Sequence, residues 1–480
     1  MKGVIMAGGK GLRLKPLTEK IAKPLVPIMN RPVMEYCIDW FKLQGIKEIA
    51  ITLQYLSKSI IDFFGDGSKY GVKLIYFTEN SPLGTAGGVR NITHFLDDTF
   101  VVISADILTD FSLQDAFQYH LEKRSQFTMI TTKVSFPNDY GIVLKHGDGR
   151  IRAFIEKPPI YKWVSDQVNT GIYIIEPEII NYIPNNRYFD FSRDLFPLLL
   201  SRKLNFFAYE LIGYWIDIGQ FSTYLNANRD ILGGKLKVKM DLNNKLKDNV
   251  WIGSNSDVNP EAIVEGPALI GSGCKIESGA HIKPYSIIGN HTIIHSKAEI
   301  DESIIWSNVT IQEGARLNQT IIGSNTYIGE RTIIDNQAVI GQNSYIGQQS
   351  LIGSNIKVNS YSKIPEHSVF KRLNLKDYHQ KNVLILTDVY QGNKHLKKEV
   401  VYCPNHVKSK IMRLLIEESK TELIDLTEGI KFVHTPYCWT KITSHELEGY
   451  LNIYCYADNP RMATEILKYY VKQIKNYQKV

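Results

Sequence analysis

The chain has 480 residues, 44% hydrophobic and 22% charged, a balance that suits two to four globular domains and excludes a fibrous or disordered chain. No apolar run approaches the roughly eighteen residues of a membrane helix. Residues 370–480 hold 18 Lys and Arg against 12 Asp and Glu, so nearly all of the net +7 lies there; without a nucleic-acid module motif this reads as a solvated face, not as nucleic-acid binding.

Residues 1–233 alternate β-rich and helical runs. Strands are expected at Gly3–Ala7, Glu48–Leu53, Lys73–Thr78, Thr99–Ser104 and Phe127–Val134, and helices at Pro32–Leu43 and Ser57–Phe64. This alternation implies βαβ units, a mainly parallel sheet and an α/β, Rossmann-like domain. The first strand runs into Gly8-Gly9-Lys10-Gly11-Leu12-Arg13 and then Lys23-Pro24-Leu25-Val26-Pro27. Glycines leaving a strand let backbone N–H groups approach phosphate oxygens, while Arg13 and Lys23 supply permanent charge. No Lys-Ser/Thr follows at the P-loop position, and no third glycine completes the dinucleotide fingerprint. Ligands on such sheets bind beyond the C-terminal strand ends, where this turn sits. A chain that opens on a core strand is expected to carry no signal peptide. Residues 234–249, rich in Lys and Asn, read as a linker.

Across 250–369 the period changes to six. Aliphatic residues recur at Ile252, Val258, Val264, Ile270, Ile276, Ile282, Ile288, Ile294 and Ile300, resume after a one-residue slip at Ile305, Ile311 and Leu317, and after a second at Ile322, continuing to Ile364. One inward aliphatic per hexad, three hexads per coil, predicts a hexapeptide-repeat parallel β-helix. Open coil ends and flat faces make a homo-oligomer the expected state, through the β-helix or the C-terminal domain. Residues 370–395 read as a second linker. The segment 396–480 reads as a small α+β domain, with strands at Ile430–Val433 and Leu451–Tyr456 and helices at Val407–Glu418 and Ala463–Ile474; a further strand is expected at Val383–Leu386. Five scattered cysteines without metal-ligand spacing suit reduced thiols in a cytoplasmic protein.

The glycine turn resembles the G-G-x-G-T-R-L…P-K-P signature of nucleotide-sugar pyrophosphorylases. Further motifs follow in that family's order: Asn80-Ser-Pro-Leu-Gly-Thr-Ala-Gly-Gly88, Ser104-Ala-Asp106-Ile-Leu-Thr-Asp110, Tyr140-Gly141-Ile-Val, Phe154-Ile-Glu156-Lys157-Pro158, Val168-Asn169-Thr170-Gly171-Ile-Tyr173 and Tyr214-Trp215-Ile-Asp217-Ile-Gly219. In the hexapeptide proteins this chain resembles, the β-helix is left-handed.

The resemblance implies transfer of a nucleotide from a nucleoside triphosphate to a hexose 1-phosphate, with Asp106 and Asp217 holding Mg²⁺. Arg13 would stabilise the departing pyrophosphate, Lys23 the α-phosphate and Lys157 the sugar phosphate. Ala7, Gly8, Gly9, Gly11, Leu83, Gly84, Thr85 and Gly87 would line the nucleotide; Gly141, Glu156, Lys157, Asn169 and Thr170 would meet the sugar phosphate. Three positions depart from the family pattern: Leu12 for Thr, Ala22 for Pro and Ala105 for Gly. The C-terminal segment resembles the last domain of phosphomannomutases, without the arginine of its phosphate loop, so mutase activity is not expected. Together these features resemble long mannose-1-phosphate guanylyltransferases, and the expected reaction is GTP with mannose 1-phosphate. Glucose-1-phosphate thymidylyl or uridylyl transfer, and a non-catalytic nucleotide-sugar-binding regulator, are the alternatives. Acyl transfer using His281, His291 or His295 would need an extruded loop that the hexads lack.

Overall fold

The computed structural model describes residues 1–134, 137–157, 165–236, 244–246, 249–370, 389–391, 394–404, 408, 411, 415, 424–425, 430–435, 438–445, 449–457 and 459–478. They divide into two units, residues 1–372 and 373–480. No described helix is long and apolar enough to cross a membrane.

The first unit opens with β1 (Lys2–Met6), α1 (Val33–Leu43), β2 (Glu48–Leu53), α2 (Ser57–Phe64), β3 (Lys73–Thr78), α3 (Gly84–Arg90), β4 (Phe100–Ser104) and β5 (Ile107–Thr109). It continues with α4 (Gln114–Glu122), β6 (Phe127–Lys133), β7 (Gly141–Lys145), β8 (Ile151–Glu156), β9 (Gln167–Ile175), α5 (Phe196–Ser201), β10 (Phe206–Glu210), β11 (Trp215–Asp217) and α6 (Phe221–Leu232). The expected strands and helices of the first 134 residues each end within a residue of the observed bounds. The nine-stranded sheet runs β8-β7-β9-β4-β1-β2-β3, with β6 against β9 and β10 against β6. Strands β1 to β4 pair in parallel, because the crossovers between them return the chain to the same end of the sheet. The second half departs from the expected parallel sheet: β9 lies antiparallel to β4, β6 and β7, and β8 to β7. Central strands are covered on both faces, so Val4, Ile5, Val101, Val102 and Ile103 are fully buried.

From Val250 to Phe370 the chain winds through three parallel sheets of seven short strands each, one of them extended by the antiparallel strand Asn244–Leu246. Each strand before the last coil pairs with the one three hexads on, as Ile270 with Ile288 and Ile276 with Ile294. These sheets fit a left-handed parallel β-helix. The hexad aliphatics from Ile270 to Ile352 are its fully buried core. Corners recur every six residues with positive φ, as at Asn325, Arg331, Gln337 and Asn343. The glycine that follows many inward aliphatics has a separate cause: a Cβ on Gly341 would lie 2.4 Å from the Ser360 nitrogen of the next coil.

One outer face of the β-helix is as apolar as its core. Leu269, Ile287, Ile304, Ile321 and Val339 occupy the outward position of every third hexad and are 4% exposed or less. They pack with Leu14, Leu17, Val26, Ile28, Tyr224 and Ile231 of the α/β domain. Burial of five such side chains contributes on the order of 10 kcal/mol as an upper bound. The Trp306 indole donates to Tyr224 Oη at 2.9 Å, and that hydroxyl donates to the Pro27 carbonyl at 2.7 Å. Both period slips fall at one corner, at Glu302 and Gln319, and Glu302 reaches Arg229 of α6 at 3.5 Å.

In the second unit, an antiparallel six-stranded sheet is built around Lys394–Tyr402, Tyr450–Ala457 and Cys438–Ser444, with the helix Pro460–Tyr477 packed on it. Asn459 caps that helix by accepting from the Arg461 and Met462 amides. The α+β character matches the sequence expectation. The hairpin of Val389–Gln391 with Lys394–Leu396, however, lies where a linker was expected. Its lysine-rich strand hides the alternation that marks a half-buried strand. The expected strand Val383–Leu386, and most of the expected helix Val407–Glu418, lie outside the described residues.

Ile311 sits in the middle of the inner stack and is fully buried. Ile311→Ala is expected to destabilise the first unit by about 2–5 kcal/mol, read as a lowered denaturant midpoint. A change below about 1 kcal/mol would contradict the continuous inner stack.

Candidate active site

The turn after β1 is held from both sides. The Ala7 amide donates to the Thr52 carbonyl at 2.9 Å, fixing where the chain leaves the sheet. Gly11 follows with φ 62°, and a Cβ there would sit 3.0 Å from Thr18 Cγ2 and 3.2 Å from Lys23 Cβ. Thr18 Oγ1 donates to the Gly11 carbonyl at 2.7 Å and the Leu14 amide donates to it at 3.0 Å, so one acceptor collects the turn. Arg13 extends toward Gly219, where a Cβ would lie 2.7 Å from its Nη2 and 3.0 Å from Asp217 Oδ1. Gly219 therefore leaves room for the guanidinium beside the carboxylate.

Asp106 follows β4, and Asp217 ends β11. These positions meet because β5 and β11 pair antiparallel off the main sheet, with Asp217 opposite Ile107. The Ile218 amide donates to the Asp106 carbonyl at 3.1 Å. Asp110 secures the far end of the ladder by accepting from the Tyr214 amide at 2.7 Å, which explains this second aspartate of the motif. Lys23 Nζ hydrogen-bonds Asp106 Oδ2 and stands 4.0 Å from Asp217 Oδ1. Burial alone would lower the Lys23 pKa, but the two carboxylates outweigh it and hold the ammonium charged. Burial would likewise raise Asp106, yet the charge and hydrogen bond of Lys23 bring it below its ordinary value. Asp217 is pushed up, by burial first and by the Asp106 charge second. Its Oδ1 is buried without a hydrogen bond to any described residue.

That donor set fits a hard divalent cation, since two close carboxylates with an unsatisfied oxygen suit octahedral oxygen coordination completed by water and phosphate. Among the described residues, no three His, Cys, Asp or Glu side chains converge into a cage that would hold a metal without the substrate.

A cleft of about 620 Å³ opens beside these groups. Of the expected residues, Ala7, Gly8, Gly9, Gly11, Arg13, Lys23, Gly84, Thr85 and Asp106 line it. Leu83 and Gly87 stand behind its wall instead: Leu83 is 9% exposed, and the Gly87 amide is used by the Phe189 carbonyl at 2.9 Å. The Thr85 hydroxyl donates to Asp190 at 2.8 Å and accepts from the Phe191 amide at 2.9 Å, holding the far rim together. Of the departures from the family pattern, Leu12 is exposed while Ala22 and Ala105 are buried. The sequence reading missed Gln54, Glu79, Tyr188 and Asp190, which also line the cleft. Isolated polar residues carry no periodic or glycine signal; only Glu79, next to the Asn80–Gly88 motif, lay close to one.

On the sugar side, Gly141 opens β7 opposite Glu156 of β8. Lys157, at φ 41° and half exposed, stands 3.5 Å from Glu156 Oε1. Asn169 spends both ends of its amide internally, donating to Tyr173 Oη at 2.9 Å and accepting from the Gly171 amide at 3.0 Å. Thr170 corrects an expectation: its side chain is buried and its hydroxyl donates to the Ile130 carbonyl at 2.8 Å, so the hydroxyl is committed to the sheet. Its carbonyl takes the Trp215 indole at 3.0 Å, which ties the sugar-side strand to the strand of Asp217. Pro158 lies outside the described residues. His281 and His295 pair with Glu265 and Glu277 on the β-helix surface, away from this cleft.

Residues 2–234 match the family model described as nucleotidyl transferase, and residues 247–352 the EIF2B subunit epsilon LbH domain. A UTP–glucose-1-phosphate uridylyltransferase of Synechocystis sp. is 36% identical over 67% of this chain and 87% of its own. A mannose-1-phosphate guanyltransferase of Yarrowia lipolytica is 31% identical over 68% of this chain and 88% of its own. Mannose-1-phosphate guanylyltransferase 1 of Arabidopsis thaliana is 29% identical over 69% and 93%.

Asp217→Asn removes a partly buried, underpaired charge while keeping the shape of the side chain. It is expected to raise stability by about 1 kcal/mol, read from denaturant unfolding without added metal. A clear loss of stability would mean that Lys23 fully compensates both carboxylates.

Proposed function

We propose that this chain, which belongs to the sugar-1-phosphate nucleotidyltransferase family, joins GTP to mannose 1-phosphate with Mg²⁺, releasing pyrophosphate and GDP-mannose. The observation that carries the chemistry is the convergence of Lys23, Asp106 and Asp217 beside the glycine turn and Arg13.

In this reading a phosphate oxygen of the sugar attacks the α-phosphorus, and the bond to the β-phosphate oxygen breaks. The nucleophile is already anionic near neutral pH, so alignment and charge neutralisation supply the rate without an obligatory base. Mg²⁺ bound at Asp106 and Asp217 would withdraw charge from phosphate oxygens. Lys23, kept charged by its carboxylate neighbours, would face the α-phosphate. Arg13, given room by Gly219, would take the charge that develops on pyrophosphate. Lys157 is exposed enough to swing from Glu156 to the sugar phosphate.

Glu79 favours guanine over a pyrimidine. One of its oxygens accepts from the Leu83 amide at 2.9 Å, and the other sits over Gly88, where a Cβ would lie 2.4 Å away. A carboxylate offers only acceptors. Guanine presents two adjacent donors, N1–H and the 2-amino group, whereas uracil and thymine flank N3–H with carbonyl oxygens. The uridylyltransferase similarity keeps UTP with glucose 1-phosphate as the second reading.

Pyrophosphate release from GTP, UTP, TTP and ATP, each with mannose and glucose 1-phosphates, decides between them. GTP with mannose 1-phosphate is expected to turn over fastest, and Asp106→Ala to cost at least about a hundredfold in kcat. Glu79→Gln is expected to lower kcat/KM for GTP roughly 10- to 100-fold, the scale of a charge-assisted hydrogen bond. Preference for UTP in the wild type would overturn the guanine assignment. Failure of every pair with Mg²⁺ present would leave a nucleotide-sugar-binding regulator.

A further inference from the structure

We propose that Gln342 and Ser360 of the β-helix are positioning residues for the phosphate turn, so that the β-helix is a working part of the catalytic centre. The inference rests on the transferase reading above. Arg13 and Lys23 flank a short segment, Leu14–Ala22, that contains no regular helix or strand of its own beyond the single turn at Leu12–Leu14. Such a segment must borrow its rigidity from what it touches.

Three of its hydrogen bonds come from the β-helix. Gln342 Nε2 donates to the Leu17 carbonyl at 3.1 Å in a buried contact that joins residues 325 apart. The Ser360 amide donates to Glu19 Oε2 at 2.9 Å, and its hydroxyl donates to the Pro16 carbonyl at 3.3 Å. Leu14 and Leu17 are fully buried in the core shared with Leu269, Ile287, Ile304 and Ile321. From the α/β domain, Tyr55 Oη donates to the Glu19 carbonyl at 3.3 Å.

These anchors connect directly to the turn. The Leu17 amide donates to the Leu14 carbonyl at 2.9 Å, and the neighbouring Thr18 hydroxyl holds the Gly11 carbonyl. Gln342 therefore sets Leu17, Leu17 and Thr18 set Gly11 and Leu14, and Arg13 lies between those two. A turn ordered before nucleotide arrives spares the ordering entropy at binding, so loss of the anchors should appear in the KM for the triphosphate more than in kcat.

The test compares Gln342→Met and the double variant Gln342→Met/Glu19→Ala with Thr332→Val. Thr332 is also buried in the same β-helix, but its hydroxyl donates to the Gly347 carbonyl, away from the turn. Two readouts are taken: triphosphate KM and kcat, and the rate of trypsin cleavage after Lys10 and Arg13, which are exposed. The double variant is expected to raise the triphosphate KM roughly tenfold. The KM for the sugar phosphate should stay within about twofold, with cleavage after Arg13 accelerated by a similar tenfold. Thr332→Val should change neither, even where it lowers the unfolding midpoint as much.

Equal KM and equal cleavage in the double variant and the wild type would overturn the proposal. So would losses in Thr332→Val that match the double variant. Absence of turnover in the wild type would sink the transferase reading alone, because the cleavage comparison still decides whether the β-helix orders the turn.

Discussion

One ammonium between two partly buried carboxylates is the constraint around which the α/β domain is arranged. Asp106, in the turn between β4 and β5, and Asp217, at the end of β11, are more than a hundred residues apart in the chain, and closeness of like charges away from bulk water is unfavourable by itself. Lys23 offsets that cost for Asp106 and only partly for Asp217, whose carboxyl stays raised and whose Oδ1 has no hydrogen-bond partner among the described residues. The imbalance leaves a site short of positive charge, the electrostatic setting that favours a cation. Asp110, Gly219 and the β5–β11 ladder all serve to maintain this arrangement against repulsion.

The β-helix contributes on a longer scale. Its inner aliphatic stack makes it stiff, while the outer aliphatic row on one sheet fastens it to the domain that carries the turn. Each requirement falls on a different register of the same hexad. The two shortened coils bring Glu302 and Gln319 to the corner beside α6, where Arg229 meets Glu302. A stiff body docked on the segment between Arg13 and Lys23 can hold two cations in place more firmly than a surface loop can hold itself.

Much of the candidate site was legible because its chemistry needs uncommon residue patterns. A run of glycines ending in arginine, and aspartates just past strand ends, stand out in any composition. Glu79, Tyr188 and Asp190 did not stand out, because a single polar residue in a loop has the same appearance whether it caps a turn or faces a base. Thr170 shows the opposite failure: it belongs to a recognisable motif, yet its hydroxyl was needed by the Ile130 carbonyl. The antiparallel half of the sheet was also hidden, since strand direction depends on which edge the returning chain finds.

Along the chain alone, the period of six, the strand–helix alternation and the glycine turn were determined, because backbone geometry and side-chain size act between near neighbours. The doubled aliphatics of every third hexad were written there too, as a surplus of apolar surface without an address. Folding decided that address. Leu17 with Gln342, Asp106 with Asp217, and Tyr224 with Trp306 meet only when elements 82 to 325 residues apart are packed together. Contacts of that range are chosen by shape and burial across the whole unit, which no local spacing can express.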